Sequence, residues 1–375
     1  MTSRERVLAS VHGRPVDRPP FALWRHFYDR ESSGARDLAD AMIGWAREYD
    51  FDLLKYNPRA RYHGEPWDFG WPDRTVDLSH PTFAEMLEGL RLARAALADL
   101  PIVMTVFTPL AIVAGQSEDA AAKALAMGPA RLEAALEVVT ETFARFAAAC
   151  LEAGADGIFL ATTSFGSRDT IGDADYSRFG RPYDVRLLEA VASAPLNILH
   201  VCGDRSRVLG LAAYPHVAAV SWNAHGAGNP PLTELHGRIA VGGISDAALL
   251  DPDVSQVRDE VRAGSRRRAA SGGSWPAAAR SARSRTSCAS ARPATSSSPR
   301  RRLPRGGRAL RHARVPGYER VSRSSQTLEH ATATPAVPQT AAGALGERGS
   351  IRFVRMSMRT AATRAIAALV AFRSI

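Results

Sequence analysis

The chain has 375 residues, 45% of them hydrophobic and 23% charged, which is enough for one large domain or two smaller ones. Its three cysteines, Cys150, Cys202 and Cys288, are too few and too scattered for a disulfide framework. The N-terminus carries charges and no apolar stretch, and the apolar segment 365–372 is far below the roughly 20 residues that span a bilayer. We therefore expect a cytoplasmic protein that is neither secreted nor held in a membrane.

The net charge of +10 is divided unevenly along the chain. Residues 1–264 carry 26 Lys and Arg against 35 Asp and Glu, whereas residues 265–375 carry 22 Arg, no Lys and 3 Glu. An acidic body followed by a strongly basic tail predicts non-specific nucleic-acid binding by the tail. A selected nucleic-acid arm is disfavoured, because the aromatic residues of the tail are few and widely separated.

Short apolar runs alternate with longer amphipathic runs in the acidic body. Seven runs rich in β-branched and aromatic residues predict strands at 21–27, 52–57, 101–107, 156–162, 197–203, 217–223 and 239–245. Apolar residues at helical spacing predict helices at 81–100, 129–155, 184–194 and 245–264, with a proline opening the first two. This alternation predicts a parallel α/β sheet covered by helices.

Two features favour a TIM (β/α)8 barrel over a doubly wound sheet. No Gly-x-Gly-x-x-Gly motif follows the first strand, and polar residues cluster where strands end, as they do around the site of such a barrel. These polar residues are Arg25, His26, Asn57, Thr162, Thr163, His200, Cys202, Asn223 and Ser245.

Past residue 264 the composition changes, and no eighth strand is evident. Residues 265–302 contain no Ile, Leu, Val, Phe or Met, so they cannot bury enough apolar surface to offset the entropy of ordering. We therefore predict a barrel that lacks its eighth strand over residues 1–264, and a disordered tail over 265–375.

Several phrases, in order, resemble the uroporphyrinogen decarboxylase superfamily over about residues 1–264. The resemblance implies a TIM barrel and one of two chemistries: cofactor-free decarboxylation of an acidic tetrapyrrole, or methyl transfer between a corrinoid and a thiol. The phrases are SRERVLASVHGRPVDRPPFALWRHF, YDFDLLKYNPRA, AGADGIFLATT, NILHVCGD, VSWNAHGAGNPPLTE and IAVGGIS.

The decarboxylase pattern implied by this resemblance is incomplete here. Arg25 occupies the position of the first arginine of the family's Arg-x-Ala-Gly-Arg motif, but no Ala-Gly-Arg follows. Asn57 stands where the decarboxylases carry a carboxylate, and an amide cannot supply that negative charge. Arg25 and Asn57 are retained as catalytic candidates. Arg25 as an anion anchor, His26, Arg59 and Asn223 are the substrate-binding candidates.

The spacing His200-x-Cys202 matches two zinc ligands of the methyltransferase branch, whose third ligand is a later cysteine in a Gly-Cys motif. On a strand these two side chains share one face, so both point to the barrel axis or both point to the helices. A buried thiol and a strand-end histidine are the ordinary alternative. With two protein ligands the predicted zinc site is incomplete.

A frameshift accounts for both the unusual tail and the missing third ligand. Arginine without lysine is typical of GC-rich DNA read out of frame, and the codons of residues 274–281 permit Val-Ala-Gly-Gly-Cys-Ser-Val in another frame. The sequence therefore favours a zinc-dependent methyltransferase lineage of impaired activity, with a small-molecule substrate and a corrinoid protein as partner. The alternatives are a uroporphyrinogen decarboxylase without cofactor, an inactive barrel fragment, and a protein that binds through its basic tail.

Overall fold

A computed structural model describes residues 1–58, 75–115, 117, 119–251, 253–262, 278–282 and 373–374. Contacts divide the chain into two units, Met1–Ala291 with Met358–Ile375, and Arg292–Ser357. The described residues all belong to the first unit. The predicted domain boundary after residue 264 stays a prediction.

The seven predicted strands are all present, and their cores are buried. β2 to β7 form one parallel ladder in chain order, which confirms the predicted parallel α/β arrangement. The strands are β1 (Phe21–Arg25), β2 (Leu54–Tyr56), β3 (Ile102–Phe107), β4 (Gly157–Ala161), β5 (Ile198–Val201), β6 (Ala219–Trp222) and β7 (Ile239–Val241).

Helices follow most strands and cover the sheet from outside. Pro81 and Pro129 open α4 and α7 as predicted, because proline has no N–H to leave unpaired in a first turn. The helices are α1 (Ser3–Val11), α2 (Tyr28–Glu31), α3 (Ala35–Glu48), α4 (Pro81–Ala96), α5 (Pro109–Ala114), α6 (Ala120–Ala126), α7 (Pro129–Glu152), α8 (Asp173–Phe179), α9 (Arg181–Glu189), α10 (Val208–Leu211), α11 (Asp246–Leu250) and α12 (255–262). None of the described helices is both long and apolar enough to cross a bilayer.

An eighth strand is present, so the prediction of a barrel without it is not confirmed. β8 (Ala278–Ala282) runs parallel to β1, with Ala278 opposite Phe21 and Ala282 opposite Arg25. A short strand β9 (Arg373–Ser374) pairs antiparallel with β7. Strand pairing uses backbone groups, so Ala-Ala-Arg-Ser-Ala can pair without the β-branched residues that mark strands in a sequence. The rest of the predicted disordered tail lies outside the described residues.

β1 is joined to the β2 segment by hydrogen bonds at its two ends rather than by a continuous ladder. At the start of β1, Asp52 exchanges two bonds with Phe21: its N–H donates to the carbonyl at 2.7 Å, and its carboxylate accepts the Phe21 N–H at 2.7 Å. At the other end, Asn57 Nδ2 donates to the Arg25 carbonyl at 2.6 Å. These bonds fix where the residues after β1 lie relative to β2.

Asp52 also ties α1 to the base of the barrel. Its fully buried carboxylate accepts from Arg6 at 2.6 Å and from Ser3 at 3.0 Å, and it contacts Arg18. Hydrogen bonds from the cations and the backbone balance the buried negative charge, and removal of that charge takes one carboxylate partner from the buried Arg6 and from the partly exposed Arg18.

A second buried carboxyl, Asp184 of α9, lies between two tyrosines. Tyr176 and Tyr214 donate to Asp184 Oδ2 at 2.7 and 3.0 Å, while Oδ1 has no hydrogen-bond partner within the described residues. Burial raises the pKa of Asp184 to about 7, although the two tyrosine hydroxyls oppose the rise. The protonated form is therefore favoured in the folded protein below about pH 7.

We expect Asp52→Asn to lower the free energy of unfolding by about 3–5 kcal/mol, because a buried ion-pair network loses one partner. Urea denaturation at neutral pH measures the change. Asp40→Asn, an exposed substitution on α3, is the matched control and is expected to change stability by less than about 0.5 kcal/mol. Equal stability of the two variants would contradict the role of Asp52.

We expect the contribution of Asp184 to stability to fall as pH rises from about 4 to about 7. The folded pKa lies above the unfolded value of 3.8, so folding favours the protonated group, and this advantage is lost as pH passes the folded pKa. The side chain of the Asp184→Asn variant cannot ionise. As pH rises over this range, the free energy of unfolding of the variant should therefore increase by a few kcal/mol relative to that of the natural chain. Urea denaturation of both proteins at several pH values measures the difference, and a pH-independent difference would contradict the assignment.

Candidate functional site

Three aromatic rings mark the interior of the barrel where the strands end. The ring of Phe159 on β4 lies 5.1 Å from that of Trp24 and 5.0 Å from that of His200, and Trp24 and His200 are 6.3 Å apart. His200 Nδ1 lies 3.1 Å from Ser221 Oγ on the neighbouring β6. His200 therefore points to the barrel axis and not to the surrounding helices.

Cys202 lies just past the end of β5, two residues after His200, and it is buried. Its N–H donates to Thr162 Oγ1 at 3.2 Å. The turn beside it is closely packed, because a Cβ atom on Gly166 would lie 2.6 Å from the Cys202 carbonyl oxygen. Thr163, the first residue of this turn, has a φ of +50°, a strained value for a β-branched residue. The backbone around Cys202 is thus held tightly by the turn after β4.

A network of four polar side chains, His26, Glu31, Asn57 and Lys55, lies at the same end of the barrel. Glu31 accepts from His26 Nδ1 at 3.0 Å and from Asn57 Nδ2 at 2.8 Å. Asn57 in turn accepts from Lys55 Nζ at 3.2 Å, and Lys55 lies 5.4 Å above the ring of Phe159. We call these four residues the mouth network. Phe159 contacts both Lys55 and His200, so the mouth network lies next to His200.

Glu31 is buried and ionised within the mouth network. Burial raises its pKa, but hydrogen bonds from His26 and the Phe27 N–H, together with the charge of Lys55 and of His26 when its ring is protonated, outweigh this and lower the pKa below its usual value. A buried carboxylate with this many donors holds a fixed position. The mouth network is therefore a set of oriented groups rather than a solvated surface.

Sequence reasoning identified His26 and Asn57 but missed Glu31 and Lys55. Lys55 had a signal: it interrupts the apolar strand DLLKYN, and Lys123 is the only other lysine in the chain. No sequence pattern marked Glu31. It lies in the short helix α2 after β1, and it comes close to β1 only because the chain turns back there.

Arg25 points away from the other predicted site residues. The Arg25 side chain is exposed, and its guanidinium lies 4.7 Å from the ring of Phe27 and 5.5 Å from that of Trp45 on α3. Alternation along β1 places Trp24 and His26 on the inner face and Arg25 on the outer face. Only the Arg25 backbone carbonyl contacts Asn57.

The remaining predicted binding residues differ in how they are placed. Asn223 follows β6, where its side chain accepts the His225 N–H at 3.0 Å and its carbonyl accepts from Asn229 at 2.8 Å. These contacts shape the loop after β6. Arg59 lies outside the described residues.

The described residues do not form a zinc site on their own. Among them, no group of three His, Cys, Asp or Glu side chains is arranged to hold a metal ion. His200 and Cys202 supply two donors, and His200 Nδ1 is already within hydrogen-bond distance of Ser221. Structural zinc sites use four protein ligands and catalytic sites use three. The predicted zinc role of His200 and Cys202 stays a prediction.

The chain matches the sequence model of a known family. The sequence model of the uroporphyrinogen decarboxylase (URO-D) family matches residues 71–275, which is more than half of the chain. The chain belongs to the URO-D family. This confirms the resemblance predicted from the sequence. The matched range includes β3 to β7, whereas β1, β2 and β8 lie outside it.

Curated relatives of this URO-D family chain are distant. It is 25% identical over 191 residues to uroporphyrinogen decarboxylases from Mycobacterium sp. strains KMS and JLS. This alignment covers 47% of the chain and 51% of each relative, so the chain spans about half the length of the curated relatives it matches.

One solved structure supports the fold of this URO-D family chain. A methyltransferase from Methanosarcina mazei is similar, with a TM-score of 0.55 and 20% sequence identity. The similarity covers 75% of this chain and 92% of the methyltransferase. At this identity the similarity shows the shared barrel-like α/β fold.

We expect zinc to bind weakly to the purified chain, because two protein donors rarely hold it firmly. After zinc loading and gel filtration, elemental analysis should find well below one zinc ion per chain, with little difference between Cys202→Ala and the control Cys150→Ala. Cys150 is a suitable control because it is buried in α7, away from the strand ends. One retained zinc ion that is lost only in Cys202→Ala would show that a third ligand comes from residues outside the described ranges.

Proposed function

We propose that this chain carries the methyl-transfer chemistry of its superfamily, between a corrinoid and a thiol, rather than tetrapyrrole decarboxylation. The mouth network carries this proposal, because the residue just past β2 is the amide Asn57, held by three hydrogen bonds, where decarboxylation would need a carboxylate. The proposed partners are a small thiol substrate and a corrinoid protein.

Asn57 is the deciding residue. Its amide is fully buried and makes three bonds: Nδ2 donates to the Arg25 carbonyl and to Glu31, and Oδ1 accepts from Lys55. An aspartate at this position could donate to neither acceptor. It would also place a second carboxylate within hydrogen-bond distance of Glu31, where two like charges disfavour ionisation. The surroundings of residue 57 therefore suit an amide and oppose a decarboxylase carboxylate.

The position of Arg25 also favours methyl transfer over tetrapyrrole decarboxylation. A decarboxylase would use an arginine here to hold an acidic tetrapyrrole, but this guanidinium lies over Phe27 and Trp45 on the outer face of β1. Among the described residues of β1 and β2, the lysine or arginine on the inner face is Lys55, which is 6% exposed. One buried ammonium offers a single anion contact, which fits a small anionic substrate better than a tetrapyrrole with several carboxylates.

The described residues supply binding and orientation for such a reaction. A corrinoid, when bound, supplies the methyl group, and the thiol substrate accepts it. Trp24, Phe159 and His200 give the mouth an aromatic wall, while the mouth network gives it fixed charge. A wall of this kind excludes water from a reacting sulfur.

We also propose that the activity is impaired, because residues 265–375 are read out of frame. The family match ends at residue 275, close to where the composition changes after residue 264. Sequencing the gene across codons 255–285 tests this. A read without any alternative open frame would contradict it.

We expect the chain to methylate a small thiol such as 2-mercaptoethanol slowly when methylcobalamin is supplied, and to leave uroporphyrinogen unchanged. The corrinoid spectrum follows the first reaction and chromatography of the porphyrins follows the second. His200→Ala should lower thiol methylation about tenfold or more, because it removes part of the aromatic wall, whereas Arg25→Met should not.

Turnover of uroporphyrinogen, lost in Arg25→Met, would support the decarboxylase instead. Absence of both reactions from a folded protein would support an inactive barrel or a protein that acts through its basic tail.

A further inference from the structure

His26 has the geometry of a proton acceptor that is held by a carboxylate. Its Nδ1 lies 3.0 and 3.1 Å from the two oxygens of Glu31, and because an ionised carboxylate can only accept, Nδ1–H donates this hydrogen bond. The ring is stacked on Tyr28, with centroids 4.9 Å apart and planes inclined by 4°. Nε2 at the opposite edge of the ring has no hydrogen-bond partner among the described residues. The imidazole is thus held at one edge by Glu31 and on one face by Tyr28, and Nε2 is open among the described residues.

Glu31 is positioned by groups other than His26. The single turn of α2 brings it back beside β1, where the Phe27 N–H donates to Oε1 at 2.9 Å. Asn57 Nδ2 donates to the same oxygen at 2.8 Å, and the charge of Lys55 stabilises the carboxylate further. A carboxylate fixed in this way selects one tautomer of its histidine and stabilises the imidazolium that forms on proton uptake.

Methylation of a thiol requires the loss of a proton from sulfur, since the thiolate is the nucleophile. A base within hydrogen-bond reach of the substrate sulfur can take up this proton. His26 is half-buried, with 23% of its side chain exposed, so a small substrate can approach it.

We propose that His26 is the general base of the barrel mouth and Glu31 its positioning residue, and that the group deprotonated is the thiol of a small substrate. This rests on the proposed methyl transfer. The S–H bond breaks and its proton moves to His26 Nε2, leaving the electron pair on sulfur. The sulfur then bonds to the methyl carbon while the bond from that carbon to its donor breaks, and the donor keeps the bonding pair.

Nitrogen-15 NMR of histidine-labelled protein tests the geometry without any need for turnover. We expect neutral His26 to carry its proton on Nδ1, and Glu31→Gln to shift the tautomer toward Nε2–H. Circular dichroism checks that the variant folds. A proton on Nε2 in the natural chain, or a tautomer unchanged by Glu31→Gln, would overturn the proposal.

A second measurement follows the thiol itself. Addition of 2-mercaptoethanol at neutral pH should produce the ultraviolet absorbance of a bound thiolate in the natural chain and in His12→Gln. His12 is the matched control, because it lies at the end of α1, away from the site. His26→Gln should lose this absorbance and slow any methyl transfer by about 10²-fold or more. A thiolate signal unchanged in His26→Gln would overturn the assignment.

The two proposals can fail separately. A thiolate that depends on His26, with no methyl transfer from methylcobalamin, would contradict the proposed function and support His26 as the base. Methyl transfer that persists in His26→Gln would support the function and overturn the role of His26.

Discussion

The hydrogen bonds between β1 and β2 are the constraint on which the candidate site depends. Asp52 holds the start of β1 and Asn57 holds its end, where a continuous backbone ladder would otherwise set the register. Because Asn57 also bonds to Glu31, one amide fixes both the strand and the carboxylate that orients His26. A change at residue 57 would therefore act on fold and chemistry together.

Strands and helix starts that depend on local sequence pattern could be predicted from the sequence. Seven apolar runs predicted seven strands, and two prolines predicted the starts of α4 and α7. β8 was not found, because its backbone pairs with β1 while its side chains carry no strand signal. The helix Ala35–Glu48 was missed as well, although Leu38 and Met42 on its buried face have helical spacing.

The site was predicted less completely, because contacts between distant segments decide it. Alternation showed that only one of Arg25 and His26 could face inward, but not which one. The neighbours of each residue settle this: Trp24 packs on Phe159 inside the barrel, and Arg25 packs on Trp45 outside it. Glu31 could not be found from spacing, since its role arises from a chain reversal and two bonds to other segments.

The scarcity of lysine has a practical consequence. Lys55 lies buried in the mouth network, whereas Lys123 on α6 has 61% of its side chain exposed. A reagent that modifies lysine side chains therefore meets two sites of very different access in one molecule. Lys123 reports the concentration and activity of the reagent, and Lys55 reports the access of the reagent to the barrel mouth. The natural sequence thus provides a probe of access to the mouth, with its own internal reference and no engineered label.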